Sequence, residues 1–577
     1  MNNLVKRKSS SRALPEHTCK KELSERFSKF FEDKIKTIRE SIDSSSSEDD
    51  KNAKVNSINN PLCSFTPLTE AEILDILNKS PSTSCNLDPV PTWIIKACAT
   101  TLIPTITSIV NFSITTSDFP PILKQAHVAP LLKKESLDRD NLKHFRPVSN
   151  LNFISKIIEK AVVKQLSEHL DINKISVPFQ SAYKKGHSTE TALLRVQNDI
   201  IHNLTHNNNV ILLLLDLSAA FDTVDHSILL RRMEQTFGVK DSALLWFHNY
   251  LTGRSQQVLI GDTLSSPTTL QYGVPQGSVL GPYLFTLYTA PLVDLISDFG
   301  VGFHLYADDT QVYTPITTDS ATSTLETIEI LTKHIKFWMI NNKLQLNDDK
   351  TELIVFRRKG TELIANEVFV NNSKIKNSLV VRNLGVYLDE FLTMSDHISK
   401  LCQSLYYHIG NVSRIRDVLD TECTQLLINS LVTSRLDYCN SLLHGIPKFS
   451  IERLQKMQNR AAKVITQSKI HDHVTPILKQ LHWLPVEKRI EFKIACLTYK
   501  CLHHSSAPDY LKSLIKLYEP SRALRSCNSF KLDVPFPKTR ISNRTFTFAA
   551  PRVWNALSIK TKTSVSFQTF NPPSFEI

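Results

Sequence analysis

The chain has 577 residues, of which 41% are hydrophobic and 21% charged, and a formal net charge of +12. That length exceeds what one core supports, the apolar content excludes wholesale disorder, and no stretch resembles a membrane span or secretory signal; a soluble chain of nucleus and cytoplasm, without a membrane partner, is expected. Ten singly scattered cysteines argue against structural zinc or a disulfide framework, whereas residues 401–577 carry 25 Lys and Arg against 12 Asp and Glu, which makes a polyanion the natural partner.

From the start of the chain, Phe27, Phe30, Phe31, Ile35 and Ile38 recur at helical spacing between Glu22 and Arg39 and predict one amphipathic helix. Ser44 to Asp50 reads as a flexible linker, and Lys6-Arg7-Lys8 as a solvated tail or a nuclear-import patch. Thr69-Glu70-Ala71-Glu72 has the pattern of a helix cap, and Cys85-Asn86-Leu87-Asp88-Pro89-Val90-Pro91 that of a rigid loop before another helix. Ala126 to Leu132 predicts a strand leading to Lys133-Lys134, and Phe145-Arg146-Pro147-Val148-Ser149 follows an acidic loop. In Phe179 to Ala192, Lys184, Lys185 and the helix start at Ser188-Thr189-Glu190 suit contact with a nucleic-acid backbone, while His187 has no neighbour with which to form a base–nucleophile pair.

Two stretches concentrate chemistry. Val210 to Leu215 is six apolar residues in a row and predicts a strand buried on both faces, ending at Asp216. Phe303 to Tyr313 predicts strand, tight turn, strand, with Asp308 and Asp309 at the turn. Adjacent carboxylates repel, and a fold tolerates them best where a divalent cation is held by hard oxygen ligands. With Asp216 as third ligand they form a candidate two-metal site, of the kind that spaces its ions roughly 3.5–4 Å apart for nucleotidyl transfer. Asp222 and Asp225, a turn further on, are poorer candidates.

The run ending in Asp216 with Phe221 five residues on, then Gly273-Val274-Pro275-Gln276-Gly277-Ser278-Val279-Leu280-Gly281-Pro282, then Tyr306-Ala307-Asp308-Asp309, resemble in order and spacing three successive palm motifs of reverse transcriptases, more narrowly those of LINE-type (non-LTR) retrotransposons. The resemblance extends to the Asp88-Pro89-Val90-Pro91 loop and to Phe179 to Ala192. It implies an α+β right hand: fingers before and between the motifs, a palm with an antiparallel sheet, a helical thumb and a basic C-terminal domain. It implies Mg²⁺ as cofactor, with Mn²⁺ as a substitute, held by Asp216, Asp308 and Asp309, and an RNA template, DNA primer and deoxynucleotides as partners. It further implies that Lys133 or Lys134 and Arg146 cover the incoming triphosphate, that Phe221 excludes a 2′-hydroxyl, and that Gln276 and Gly277 pack against template base and nucleotide. Read alone, Arg146 serves equally as a structural ion-pair residue and Phe221 as a core ring.

Phe337 to Glu352 predicts helix, turn, strand; in the family's pattern Lys350 is a general acid for the leaving pyrophosphate, although an exposed loop lysine has the same sequence signature. Asn383 to Leu388 resembles a hairpin that grips the primer end. Phe391 to Thr466 is helical by period, including Leu426 to Leu443, and Arg453, Lys456, Arg460 and Lys463 recur on successive turns. Beyond it, Leu481-His482-Trp483-Leu484-Pro485 and Ala549 to Asn555 resemble the tail of some LINE-type polymerases, and their basic and aromatic content fits RNA binding. The expected division is 1–60 helix and linker, 61–123 N-terminal extension, 124–388 fingers and palm, 389–470 thumb and 471–577 basic C-terminal domain, without the family's usual endonuclease domain in front. RNA-directed DNA polymerase is the expected function; the alternative is a decayed or domesticated remnant that binds RNA.

Overall fold

A computed structural model describes residues 14–44, 58–175, 177–371, 373–519, 530–537 and 539–570. Lys6 to Lys8 and residues 45–50 of the serine-rich stretch lie outside them. The architecture is mixed α/β. Its strands are β1 (Gln125–Leu132), β2 (Phe145–Asn150), β3 (Asn209–Leu215), β4 (Leu217–Ser218), β5 (Arg254–Ile260), β6 (Thr263–Leu264) and β7 (Thr268–Leu270). There follow β8 (Gly302–Tyr306), β9 (Asp309–Ile316), β10 (Gln345–Leu346) and β11 (Glu352–Phe356).

The sheet that positions the acids has the order β11-β3-β9-β8, antiparallel throughout. Its centre is β3, and the unbroken apolar run there has a direct cause. Ile211, Leu213 and Leu215 point into a core with Leu284, Phe285, Leu331 and Ile335, whereas Val210 and Leu212 point into a second core with Leu193, Ile200 and Ile398. A strand sandwiched between two cores has no polar face to alternate with. Each such side chain contributes about 1.5–3 kcal/mol on burial.

The other sheet is mixed, with order β2-β1-β5-β6 and β7 also on β5. The β1–β2 pairing is antiparallel and sets Arg146 opposite Leu131, two residues before Lys133, whose N–H donates to His144 O at 2.9 Å. Helix α1 (Lys20–Asp43) lies on this sheet, where Leu23, Phe27 and Phe31 close a small core with Val128, Phe145, Val258 and Ile260. Its far end is tied down by Arg39, which bridges to Asp225 at 2.9 Å and stacks over Tyr272. The cap expected at Thr69 is a full capping box with Glu72, and Asp88 of the proline-bracketed loop accepts from Phe153 N at 2.6 Å, an architectural role.

Beyond β11, a hairpin (Val380–Asn383 with Val386–Asp389) leads into helices Ser395–Arg414, Lys448–Thr466, Val486–His503 and Phe546–Ala556. The stretch 426–443, helical by period, does run as helix through a wider π-turn at Asn429–Thr433, but it stops at Asp437 and turns left-handed at Cys439 before a short 3-10 turn over Asn440–Leu443. The tertiary fold accounts for this: Ser441 donates through both N and Oγ to the buried Glu190. Leu478, Trp483, Ile494 and Trp554 share one apolar cluster with Ile398, Leu405 and Leu454 and with helix Thr189–Thr205. Among the described residues no helix is long and apolar enough to cross a membrane.

Candidate active site

The β3–β9 ladder pairs Leu215 with Thr310, so the next residue along β3, Asp216, comes level with Asp309. The β8–β9 hairpin closes at Tyr306–Asp309, leaving Ala307 and Asp308 as its turn. Ala307 adopts φ +56°, a left-handed conformation that strains an alanine and sharpens the turn. The three predicted acids are therefore grouped at one end of one sheet.

Their electrostatics record the crowding. One flank of Asp309 reaches solvent, yet burial in the cleft, then the charges of Asp308 and Asp216, push its carboxyl up to about 6. Burial and Asp216 raise Asp308 as well, and Lys350 opposes both shifts. The Lys350 ammonium stands 2.6 Å from Asp216 Oδ2, and Asn347 N donates to Asp216 O at 2.9 Å. Among the described residues no three His, Cys, Asp or Glu side chains are gathered into a ready metal cage, and Asp216 turns an oxygen to Lys350. The donor set still suits a hard divalent ion: three carboxylate groups, mutually repelled, at one strand end.

Of the two candidate lysines, Lys133 lies within reach of the Asp216 charge. Burial lowers its affinity for a proton, as do the charges of Lys34, Lys350 and Arg146, and Asp216 acts in the opposite sense. Its ammonium donates to Lys143 O at 2.7 Å. Lys134 instead acts on Glu352. Arg146 is exposed. Lys34 was not picked out in the sequence; it sits on α1, lines a cleft with Ser149, Asp222, Tyr272 and Gln276, and adds a fourth cation. Nothing in the helical period of α1 marks it, since only docking on the sheet brings it there.

Phe221 is half-buried and stacks on Phe285 at 4.7 Å between centroids. Gln276 donates its amide to both oxygens of Asp222, at 2.9 and 2.8 Å, and its carbonyl accepts from Ser149 N at 2.8 Å. Burial pushes Asp222 up to about 6, with Gln276 acting against it. Gly277 has φ +126°, and a Cβ there would fall 2.3 Å from Ser149 O, so only glycine lets this loop lie on β2. The helix Leu280–Thr289 behind the loop is seated by the fully buried Glu159, which accepts from Val279 N and Leu280 N. Asp225 is committed as a helix cap and to Arg39, and so is unavailable to a metal.

Lys184 and Lys185 are exposed, and His187 sits edge-on to Tyr510 with Nδ1 at Lys185 O. On helix Lys448–Thr466, Arg453, Lys456 and Arg460 face outward, and Arg460 stacks over the exposed Tyr406. Sequence reading also missed Gln180, whose buried amide oxygen accepts from Ala307 N beside the turn that bears Asp308.

Residues 132–388 match the family model described as reverse transcriptase (RNA-dependent DNA polymerase). The chain is 24% identical over 477 residues to a Drosophila melanogaster protein named probable RNA-directed DNA polymerase from transposon BS, covering 80% of this chain and 50% of that one. It is similar, at 26% over 415 residues, to the probable RNA-directed DNA polymerase from transposon X-element of the same fly, covering 70% and 44%. A third relative there, the RNA-directed DNA polymerase from mobile element jockey, is 25% identical over 356 residues, covering 60% and 38%. The chain thus spans half or less of the length of these relatives. The segment 132–388, which holds all three acids, Lys133, Arg146 and Lys350, is a reverse transcriptase domain.

Proposed function

We propose that this chain is the RNA-directed DNA polymerase of a non-LTR retrotransposon, joining deoxynucleotides to a primer 3′-hydroxyl on an RNA template. The observation that carries the reading is the strand register that brings Asp216 level with Asp309 at the end of one sheet, beside Lys350 and the Lys133–Arg146 pair. Asp216, Asp308 and Asp309 would hold the metal, Mg²⁺ by the hardness of the donors, with Mn²⁺ as a substitute. When bound, such ions activate the primer hydroxyl and neutralise the leaving pyrophosphate.

The chain's own residues supply the rest. Lys133, Arg146 and Lys34, cations whose charges act on one another, would receive the triphosphate, Arg146 through its bidentate fork. Lys350 protonates the departing pyrophosphate. Phe221 closes the space a 2′-hydroxyl would need, and Gln276, held by Asp222 and backed by Gly277, presents the loop against the base pair. In right-hand terms the β2-β1-β5 sheet is fingers, the β11-β3-β9-β8 sheet is palm, and the helices over 395–466 are thumb, with the Arg453, Lys456 and Arg460 face along the template–primer hybrid. The region after 470 is the basic C-terminal part.

The test is primer extension on poly(rA)/oligo(dT) and on a heteropolymeric RNA template with Mg²⁺, comparing wild type with Asp308→Ala and Asp216→Ala. Incorporation that vanishes in both variants is expected. A folded wild type that binds the hybrid and extends nothing refutes the polymerase in favour of an RNA-binding remnant.

A further inference from the structure

The turn bearing Asp308 is held from outside its own hairpin. Segment 179–181 lies along β8 as a short parallel addition to the sheet: Leu305 N donates to Phe179 O at 2.8 Å and Ser181 N to Leu305 O at 3.1 Å. This places the Gln180 side chain under the turn, where its Oε1 accepts from Ala307 N at 3.1 Å and from Ala182 N at 2.9 Å. Gln180 is 3% exposed, so no water competes for that oxygen. Ala307 is the left-handed residue immediately before Asp308, and a strained conformation persists only where surrounding contacts over-determine it.

The next residue ties the same segment to the C-terminal helices. Ser181 Oγ lies 2.7 Å from His304 Nε2 and 2.7 Å from Tyr510 OH, and Tyr510 OH donates to Thr191 Oγ1 at 3.0 Å. Thr191 in turn donates to Ser188 O. All four side chains are buried, and one direction of donation satisfies the chain: His304 Nε2–H to Ser181, Ser181 to Tyr510, Tyr510 to Thr191. Tyr510 is fixed by Arg195, which donates to its carbonyl, and Gly186 packs so closely on Ser506 that a Cβ there would overlap its carbonyl.

We propose that Gln180 is a positioning residue for Asp308 and that the C-terminal helical region, through Tyr510, is part of the same brace, so that this region serves the polymerase centre rather than trailing from it. The proposal rests on the polymerase reading above. Displacing a reacting group by about 1 Å costs up to about 10²-fold in rate.

In the full chain, Gln180→Met removes the acceptor while filling its volume, and Tyr510→Phe removes one oxygen. Single-turnover and steady-state extension are measured together with hybrid affinity and thermal unfolding. The expected result is kcat lower by about 10- to 100-fold for Gln180→Met and by a smaller factor for Tyr510→Phe, with deoxynucleotide KM and hybrid Kd within about threefold of wild type and a double variant less impaired than the product of the two. Folded Gln180→Met at wild-type kcat, or with its loss confined to KM or hybrid affinity, overturns the role of Gln180. If that variant does not fold, Tyr510→Phe decides, and wild-type kcat there overturns the brace. A wild type that incorporates nothing overturns the polymerase reading itself, and the proposal with it.

Discussion

Replacing Lys350 separates a structural ion pair from a catalytic acid, because the two roles differ in magnitude. Its ammonium is 2.6 Å from Asp216, but the side chains are 59% and 22% exposed, so solvent and salt screen the pair. An ion pair of that kind contributes about 0.2–1 kcal/mol, less than a factor of ~6 in the folding equilibrium. A general acid contributes ~10²- to 10⁴-fold in rate, or about 3–5 kcal/mol of barrier. Lys350→Met is therefore expected to move the urea midpoint slightly and to slow single-turnover incorporation by at least ~10²-fold. Lys350→Arg restores the charge beside Asp216 but keeps its proton near neutral pH, so it recovers the midpoint and not the rate. If the methionine variant incorporates at the wild-type rate, Lys350 is a surface lysine; if the arginine variant does, the site needs a charge and not a proton.

Phe221→Ala should raise ribonucleotide relative to deoxynucleotide incorporation by about tenfold or more if the ring is the sugar gate, read as the ratio of kcat/KM for the two nucleotides; an unchanged ratio assigns Phe221 to the Phe285 stack alone. Arg39→Met leaves Asp225, 14% exposed, without its charged partner and is expected to cost about 3 kcal/mol, seen as a lowered Tm; a loss below about 1 kcal/mol would mean that α1 is not held there. His304 is fully buried, and burial, followed by Arg195 and His187, pushes it down to about 3 from 6.5. A depressed histidine contributes stability above its unfolded value that is lost as pH falls from 6.5 towards 3, at up to about 1.4 kcal/mol per pH unit, so His304→Gln should flatten the fall of the urea midpoint over that window. Equal slopes in variant and wild type rule this out.

What could be read from residues was local. The β3 run, the hairpin around Asp308-Asp309 and the cap at Thr69 each express forces acting within a dozen residues or so. The groups that were missed are brought in by distant packing: Lys34 by α1 docking on a sheet over 90 residues further on, and Gln180 by lying along β8. The choice between Lys133 and Lys134 was open for the same reason, because it is the tertiary fold and not the dipeptide that sets Lys133 within reach of the Asp216 charge and Lys134 within reach of Glu352. Periodicity captured the helical course of 426–437 but not the break after Asp437, where Glu190 from another element takes up the backbone and hydroxyl of Ser441.

One part of the geometry that gathers the candidate acids is not set by hydrophobic pattern at all. A slip of one residue between β3 and β9 would normally be forbidden because it exchanges a strand's buried and solvent faces. In β3 both faces are apolar, so Val210 to Leu215 would tolerate the slip, and Asp216 would then leave Asp309. The register has to be fixed by polar contacts at the strand ends and by the partner strand. At one end Asn209 donates to Glu362 O at 3.1 Å; at the other Asn347 donates to Asp216 O, and β4 pairs with β10 at Leu217–Leu346 and Ser218–Gln345. On β9, Gln311 accepts from Asn383 at 2.7 Å and Tyr313 OH donates to Asp199 at 2.6 Å. This apolar strand thus depends on a few hydrogen bonds for the placement of the candidate ligand Asp216, and the segment 345–350 that supplies them at the Asp216 end also carries Lys350. The same short loop sets the candidate metal-side carboxylate and delivers the candidate acid, so a change in it is expected to disturb both together.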